Sequence, residues 1–214
     1  MNGQLTFGTQ ENGQTYFGWG ELKASGKRRR TNEPHMFYGI LVGEPTGTLL
    51  EQWARGCRQE FGLRQAWLTP AKQTHITLMG LGDGKSPYVV ETACRVGSLI
   101  QAKPFDVCFD RLSAFGGGAL VLRSGDRSPA LQEFWRKLSA VVHDSPLQPF
   151  VTNSLEPHVT LLRDRDGVPK IPERLVDPVR WTVRSFALIH SCEGKYEFPG
   201  FWRLSGRDDA HAVM

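Results

Sequence analysis

From His35 onward, short apolar runs alternate with stretches of helical spacing. "HMFYGILVG" (35–43) is apolar and aromatic and predicts a strand. In "TGTLLEQWARGCRQEFG" (46–62), Leu49, Leu50, Trp53, Ala54, Cys57 and Phe61 recur at helical spacing, with Thr46 or Thr48 as a cap and Gly62 as a stop. "THITLMG" (74–80) predicts a strand that runs into the turn-rich "GLGDGKSP", and "PYVVETACRVGSLIQAK" (87–103) a helix weakened by Gly97. "FDVCFDRLSAF" (105–115) and "GALVLRSG" (118–125) predict a hairpin through Gly116, Gly117 and Gly118. "SPALQEFWRKLSAVVHD" (128–144) predicts a helix with Ser128 as cap and Pro129 in its first turn. "HVTLLRD" (158–164) predicts another strand, and "PVRWTVRSFALIHS" (178–191) and "YEFPGFWRLSG" (196–206) two more.

A helix followed by a short strand beginning His-x-Thr-Leu therefore occurs twice, once in each half. Two copies are too few for an open solenoid and predict two similar α+β lobes. The fold class expected is α+β, with strands and helices in each lobe. Residues 35–206 form that unit. Residues 1–34, rich in Gly, Asn, Gln and Thr, read as a flexible arm ending in the basic run Lys27, Arg28, Arg29 and Arg30. A short hairpin through "LTFG" and "TYFGW" is the other reading there, and 207–214 is a tail.

Composition narrows the function classes. At 214 residues the chain can bury one core, or two small lobes sharing one. A net charge of +4 suits an anionic partner but does not require one. No apolar run is long enough to span a membrane, and the N-terminus lacks the apolar stretch of a signal peptide. Cys57, Cys94, Cys108 and Cys192 are scattered, without Cys-x-x-Cys or a close Cys/His cluster, which predicts free thiols in a reducing cytoplasm. Walker A, G-x-G-x-x-G and G-x-S-x-G patterns are absent, and the aspartates of "LGDG" and "RDRDG" sit beside turn glycines.

The repeated motif carries the chemistry. Side chains alternate along a strand, so His75 and Thr77 share one face while Ile76 and Leu78 share the other. His158 and Thr160, backed by Val159 and Leu161, repeat that arrangement, and Thr74 falls on the apolar side. If the two strands adjoin, two imidazoles and two hydroxyls converge. Imidazoles titrate near neutrality and can serve as acid and base in one turnover. Hydroxyls can donate to nonbridging phosphoryl oxygens. This set suits in-line attack at phosphorus without a metal. Arg163 falls on the wrong face by simple alternation, but a bulge would return it to the histidines as a phosphate contact.

These motifs resemble the 2H phosphoesterase superfamily, and within it the RNA 2',3'-cyclic phosphodiesterase or 2'-5' RNA ligase (LigT-like) family. The likeness runs from about Phe37 to Leu204. "EPHVTLLR" matches the second family element at Pro157, His158, Thr160, Leu161 and Arg163, and "THITLMGLG" matches the first, with Leu81 and Gly82 in place. Ser191, Gly194, Tyr196 and Leu204 match the closing strands. Leu155 and Gly80 stand where the family usually has aromatics. The resemblance implies two pseudo-symmetric α+β lobes, each with an antiparallel sheet and helices, around a central groove, and hydrolysis of an RNA or nucleotide 2',3'-cyclic phosphate to a 2'-phosphate, with neither cofactor nor metal. By that analogy His75 would be the acid and His158 the base; Thr77 and Thr160 are the expected phosphate contacts, and Arg163 is either a third or a surface salt bridge. Tyr196 and Phe37 are candidate base or groove contacts, whereas Lys72 and Arg203 read as solvated surface. His35, His143, His190 and His211 read as surface or structural, and Trp53, Trp67 and Trp135 as lobe core. Alternatives with the same residues are a 2'-5' phosphodiesterase or ligase, a small cyclic-nucleotide phosphodiesterase, and a non-catalytic RNA-binding module. A cytoplasmic monomer is expected.

Overall fold

A computed structural model describes residues 34–205, except 85, 117, 165 and 170. The basic arm, its alternative hairpin and the tail lie outside the described residues. The elements run β1 (His35–Leu41), α1 (Thr46–Glu60), β2 (Trp67–Leu68), β3 (His75–Gly80), α2 (Pro87–Ser98), β4 (Phe105–Phe115), β5 (Ala119–Arg123) and α3 (Pro129–His143). They continue with β6 (His158–Arg163), β7 (Arg174–Val183), β8 (Ser185–Cys192) and β9 (Lys195–Arg203). Every strand pairing is antiparallel, in the order β7-β4-β5-β6-β3-β1-β8-β9, with β2 beside β6.

Read outward from its centre, the sheet is β6-β5-β4-β7 in one direction and β3-β1-β8-β9 in the other. Each lobe thus supplies four strands, and the two His-x-Thr strands form the seam. The lobes expected from the sequence are present, joined edge to edge at Ile76 and Val159. "PVRWTVRSFALIHS" is divided between β7 and β8, where one strand was expected. No turn residue marks the break at Arg184, so the pattern could not show it. Only one residue separates Val183, on the outer strand of one lobe, from Ser185, in the interior of the other. With one residue between them, their Cα atoms are at most about 7 Å apart, so the two halves bend toward each other at that end.

One apolar core runs behind both lobes and takes in all three helices. Leu50 and Ala54 of α1, Ala93 and Val96 of α2, and Leu131, Phe134 and Leu138 of α3 meet the inner faces of the strands. Helix ends partly follow expectation. Pro129 opens α3, but Ser128 makes no side-chain cap. Thr46 lies inside α1 instead of capping it, whereas Ser86 caps α2 by accepting from the Val89 N–H. Gly97 has a packing reason: a Cβ there would stand 2.3 Å from the Trp202 ring. Gly200 confines the same ring from its other neighbour. Trp202 also stacks on Phe186 at 4.9 Å, so the indole holds α2 onto the sheet.

Candidate active site

The four motif side chains meet because of strand register. Ile76 is paired with Val159, and both are fully buried in the core. One residue along in either direction, an antiparallel ladder sets His75 across from Thr160 and Thr77 across from His158. All four then lie on the face opposite the core. Opposed residues have Cβ atoms about 5 Å apart, and the diagonal between the histidines is about 7–8 Å. A phosphoryl group fits between imidazoles at that spacing. Thr74 is buried on the other side, with its hydroxyl donating to the Pro70 carbonyl at 3.1 Å, as alternation required.

Each imidazole is held in the same way. His75 Nδ1 lies 2.7 Å from the Gln73 carbonyl, and His158 Nδ1 lies 2.8 Å from the Glu156 carbonyl. A carbonyl only accepts, so Nδ1 carries the proton and Nε2 is left for chemistry. A phenylalanine supports each ring: Phe37 at 4.9 Å from His75, and Phe115 at 4.8 Å from His158. Phe37 is 2% exposed and braces the imidazole from within the packing.

Arg163 reaches the histidine face through a bulge. Leu120 pairs with Leu162 but Val121 pairs with Thr160, leaving Leu161 as the extra residue. Leu161 and Leu162 are consecutive core residues, and the next position faces the histidines. The guanidinium there contributes to the depressed basicity of both His75 and His158, and acts on Tyr196 as well. β1 and β3 break register at the equivalent place, with Tyr38 opposite Met79 and Gly39 opposite Thr77. Gly80 is therefore the counterpart of Arg163, and the space where its Cβ would lie is open.

The lobes differ around this common frame. Tyr196 comes to His75, its hydroxyl 3.2 Å from Nδ1 and its ring edge-on at 5.6 Å. The β8–β9 hairpin that carries it is tied down by Gln73, whose amide donates to the Gly194 carbonyl at 2.6 Å. Burial pushes the Tyr196 hydroxyl up to about 12, so it stays protonated. Beside His158, the register neighbour is Arg123, ion-paired with Glu156 and Glu173 and lying over Phe115 at 5.5 Å. Burial drives the His75 pKa down to about 4, helped by the His158 and His35 imidazoles and Arg163, while the Gln73 carbonyl opposes it. Burial also lowers His158, with Arg163 adding to it, while the Glu156 carbonyl and carboxylate pull the other way.

Several of these residues escaped the sequence. His35, expected as surface or structural, stacks on Phe37 at 5.3 Å and acts on His75. An i, i+2 relation to Phe37 on one strand was the available signal. Phe115 and Arg123 carried none, because only pairing brings them to His158, whereas Glu156 stands two residues before it in the chain. Trp67 was expected in the core and is 49% exposed. Lys72 and Arg203 are exposed, as expected. Among the described residues, no group of three or more His, Cys, Asp or Glu side chains could hold a metal ion. The four cysteines are free thiols.

Comparison with known proteins agrees with the fold. Residues 49–195 match the family model of the 2'-5' RNA ligase superfamily. TT0787 of Thermus thermophilus superposes with a TM-score of 0.65 at 19% identity, covering 80% of this chain and 98% of its own. E. coli LigT in apo form gives 0.64 at 20%, covering 81% and 99%, and its complex with 3'-AMP gives 0.62 at 21% over the same shares. None of the curated proteins compared matches the chain. The mixed α+β fold with its large antiparallel sheet has its counterpart in these structures. The chain belongs to the 2'-5' RNA ligase superfamily, the 2H phosphoesterases.

Proposed function

We propose that this protein hydrolyses the 2',3'-cyclic phosphate of an RNA end or nucleotide to a 2'-phosphate, without a metal. The observation that carries the reading is the Ile76–Val159 register, which confronts two His-x-Thr pairs on one face. A water oxygen attacks phosphorus in line with O3', and the P–O3' bond breaks. One imidazole takes the water proton at Nε2, and the other delivers a proton from Nε2 to O3'. Thr77, Thr160 and Arg163 hold the nonbridging oxygens as charge shifts onto them. The two imidazoles finish with their protonation exchanged, so proton transfer through solvent resets the site.

The resemblance names His75 as acid and His158 as base. The surroundings favour the opposite assignment. Burial lowers both imidazoles, taking His75 to about 4 with His158, His35 and Arg163 adding to it, while at His158 the Glu156 carboxylate works against Arg163 and Arg123. A nitrophenyl phosphodiester separates the roles, since its leaving group needs no proton. The variant lacking the acid, His158→Ala on this argument, keeps cleaving it, and the variant lacking the base does not. Retention in His75→Ala instead would restore the order implied by the family.

Binding of 3'-AMP by LigT supports a nucleotide ligand here. The family description favours a second reading, cleavage or formation of a 2'-5' linkage with a 5'-hydroxyl in place of water. Defined substrates in EDTA decide between them. Hydrolysis of a cyclic-phosphate oligoribonucleotide, with a 2'-phosphate seen by phosphorus NMR, supports the first. Cleavage confined to 2'-5' linkages supports the second, and binding without turnover of either would overturn both.

A further inference from the structure

The histidine face differs in chemistry at its two ends, and one end carries a feature that phosphate chemistry does not require. Trp67 pairs in register with Arg163, as Ala119 does from the other side. Its neighbour Leu68 pairs with the buried Leu162 and packs on the core. Alternation therefore sends the Trp67 indole to the face of Arg163 and the histidines. There it is 49% exposed, while the other described tryptophans are buried or partly buried. At the opposite end, the place of Arg163 is taken by Gly80, whose added Cβ would meet nothing within 4 Å. The pseudo-twofold relation of the histidines is thus broken by a guanidinium and an indole side by side in one lobe.

We propose that Trp67 is a stacking platform for a base of the RNA substrate, with Arg163 holding the phosphate between that base and the histidines. This deepens the phosphodiesterase reading and rests on it. An exposed indole presents an uncharged π-face that accepts any base, which suits a single-stranded end. From Thr160 to Arg163 the strand advances about 10 Å, so platform and phosphate pocket serve one ligand. The RNA body then runs over the lobe of β5 and β6. The Gly80 end is left to water or to an incoming hydroxyl.

The test is a titration of the full chain with an oligoribonucleotide ending in a 2'-phosphate, which the proposed reaction does not consume. Tryptophan fluorescence should be quenched, and Trp67→Phe should remove most of that quench. Trp67→Ala should weaken binding between about 5- and 100-fold, the range that stacking one base supplies. An abasic oligomer of equal length should bind wild type and Trp67→Ala alike. Circular dichroism checks that the variants are folded. An unchanged dissociation constant in folded Trp67→Ala, with the quench persisting in Trp67→Phe, would overturn the platform while cyclic-phosphate hydrolysis stood. Trp67-dependent binding by a wild-type protein that turns over no cyclic phosphate would overturn the hydrolysis reading and keep the platform.

Discussion

At the residue scale, each histidine is defined by three neighbours: a carbonyl on Nδ1, a phenyl ring against its face, and a threonine across the seam. His75→Ala and His158→Ala should each lower kcat by about 10²–10⁴-fold on a cyclic-phosphate substrate, with an unchanged far-ultraviolet spectrum. Near-normal turnover in either variant would refute acid–base work by the pair. Thr77→Ala and Thr160→Ala should lose less, about 10- to 100-fold in kcat/KM, since each removes one donor to the anion. The pH dependence of kcat/KM should be bell-shaped, with apparent values belonging to the pair. Its acid limb should fall below the ordinary histidine value of about 6.5, because burial holds both imidazoles down. A limb at or above that value would show that the rings are solvated.

At the element scale, the two His-x-Thr strands are short and gain their definition from bulges and from the helices behind them. The bulge at Leu161 turns a residue five places after His158 back to its face, a relation that period-two counting cannot give. The Trp202 slot does comparable work for α2. Gly97→Ala improves helix propensity by about 1 kcal/mol, yet it drives a methyl into an indole confined by Gly97 and Gly200. Overpacking of this kind costs about 1–3 kcal/mol. The variant should therefore unfold at a lower temperature than wild type in a calorimetric scan. A higher Tm would mean that the helix end is free to move away.

At the scale of the molecule, the seam makes the site a joint product of both lobes. Placing imidazoles there has a stability consequence. His75 is near 6.5 in the unfolded chain and about 4 in the folded one, so between these values the unfolded chain binds more protons. Stability is full above pH 6.5 and is lost as pH falls through 4, by up to about 3 kcal/mol from this group. His158 is shifted the same way and adds to the loss. Urea unfolding of His75→Asn at pH 7.5 and pH 4.5 should show a smaller difference than wild type. An equal difference would place the acid sensitivity elsewhere. Among the described residues no helix is long and apolar enough to cross a membrane.

The sequence by itself determined the local facts. Alternation and helical spacing set most elements, and the repeated His-x-Thr marked the imidazoles and hydroxyls that meet at the seam, because those signals depend on side-chain period within one segment. The β7–β8 break had no local signal, since a one-residue link at Arg184 carries no turn chemistry. Tertiary structure alone decided which strands adjoin, where the bulges fall, and which rings and charges surround each imidazole. Phe115, Arg123 and Trp67 reach the site through pairings between segments far apart in the chain. Such pairings are fixed by how whole faces bury against one core, and no short stretch of residues encodes that.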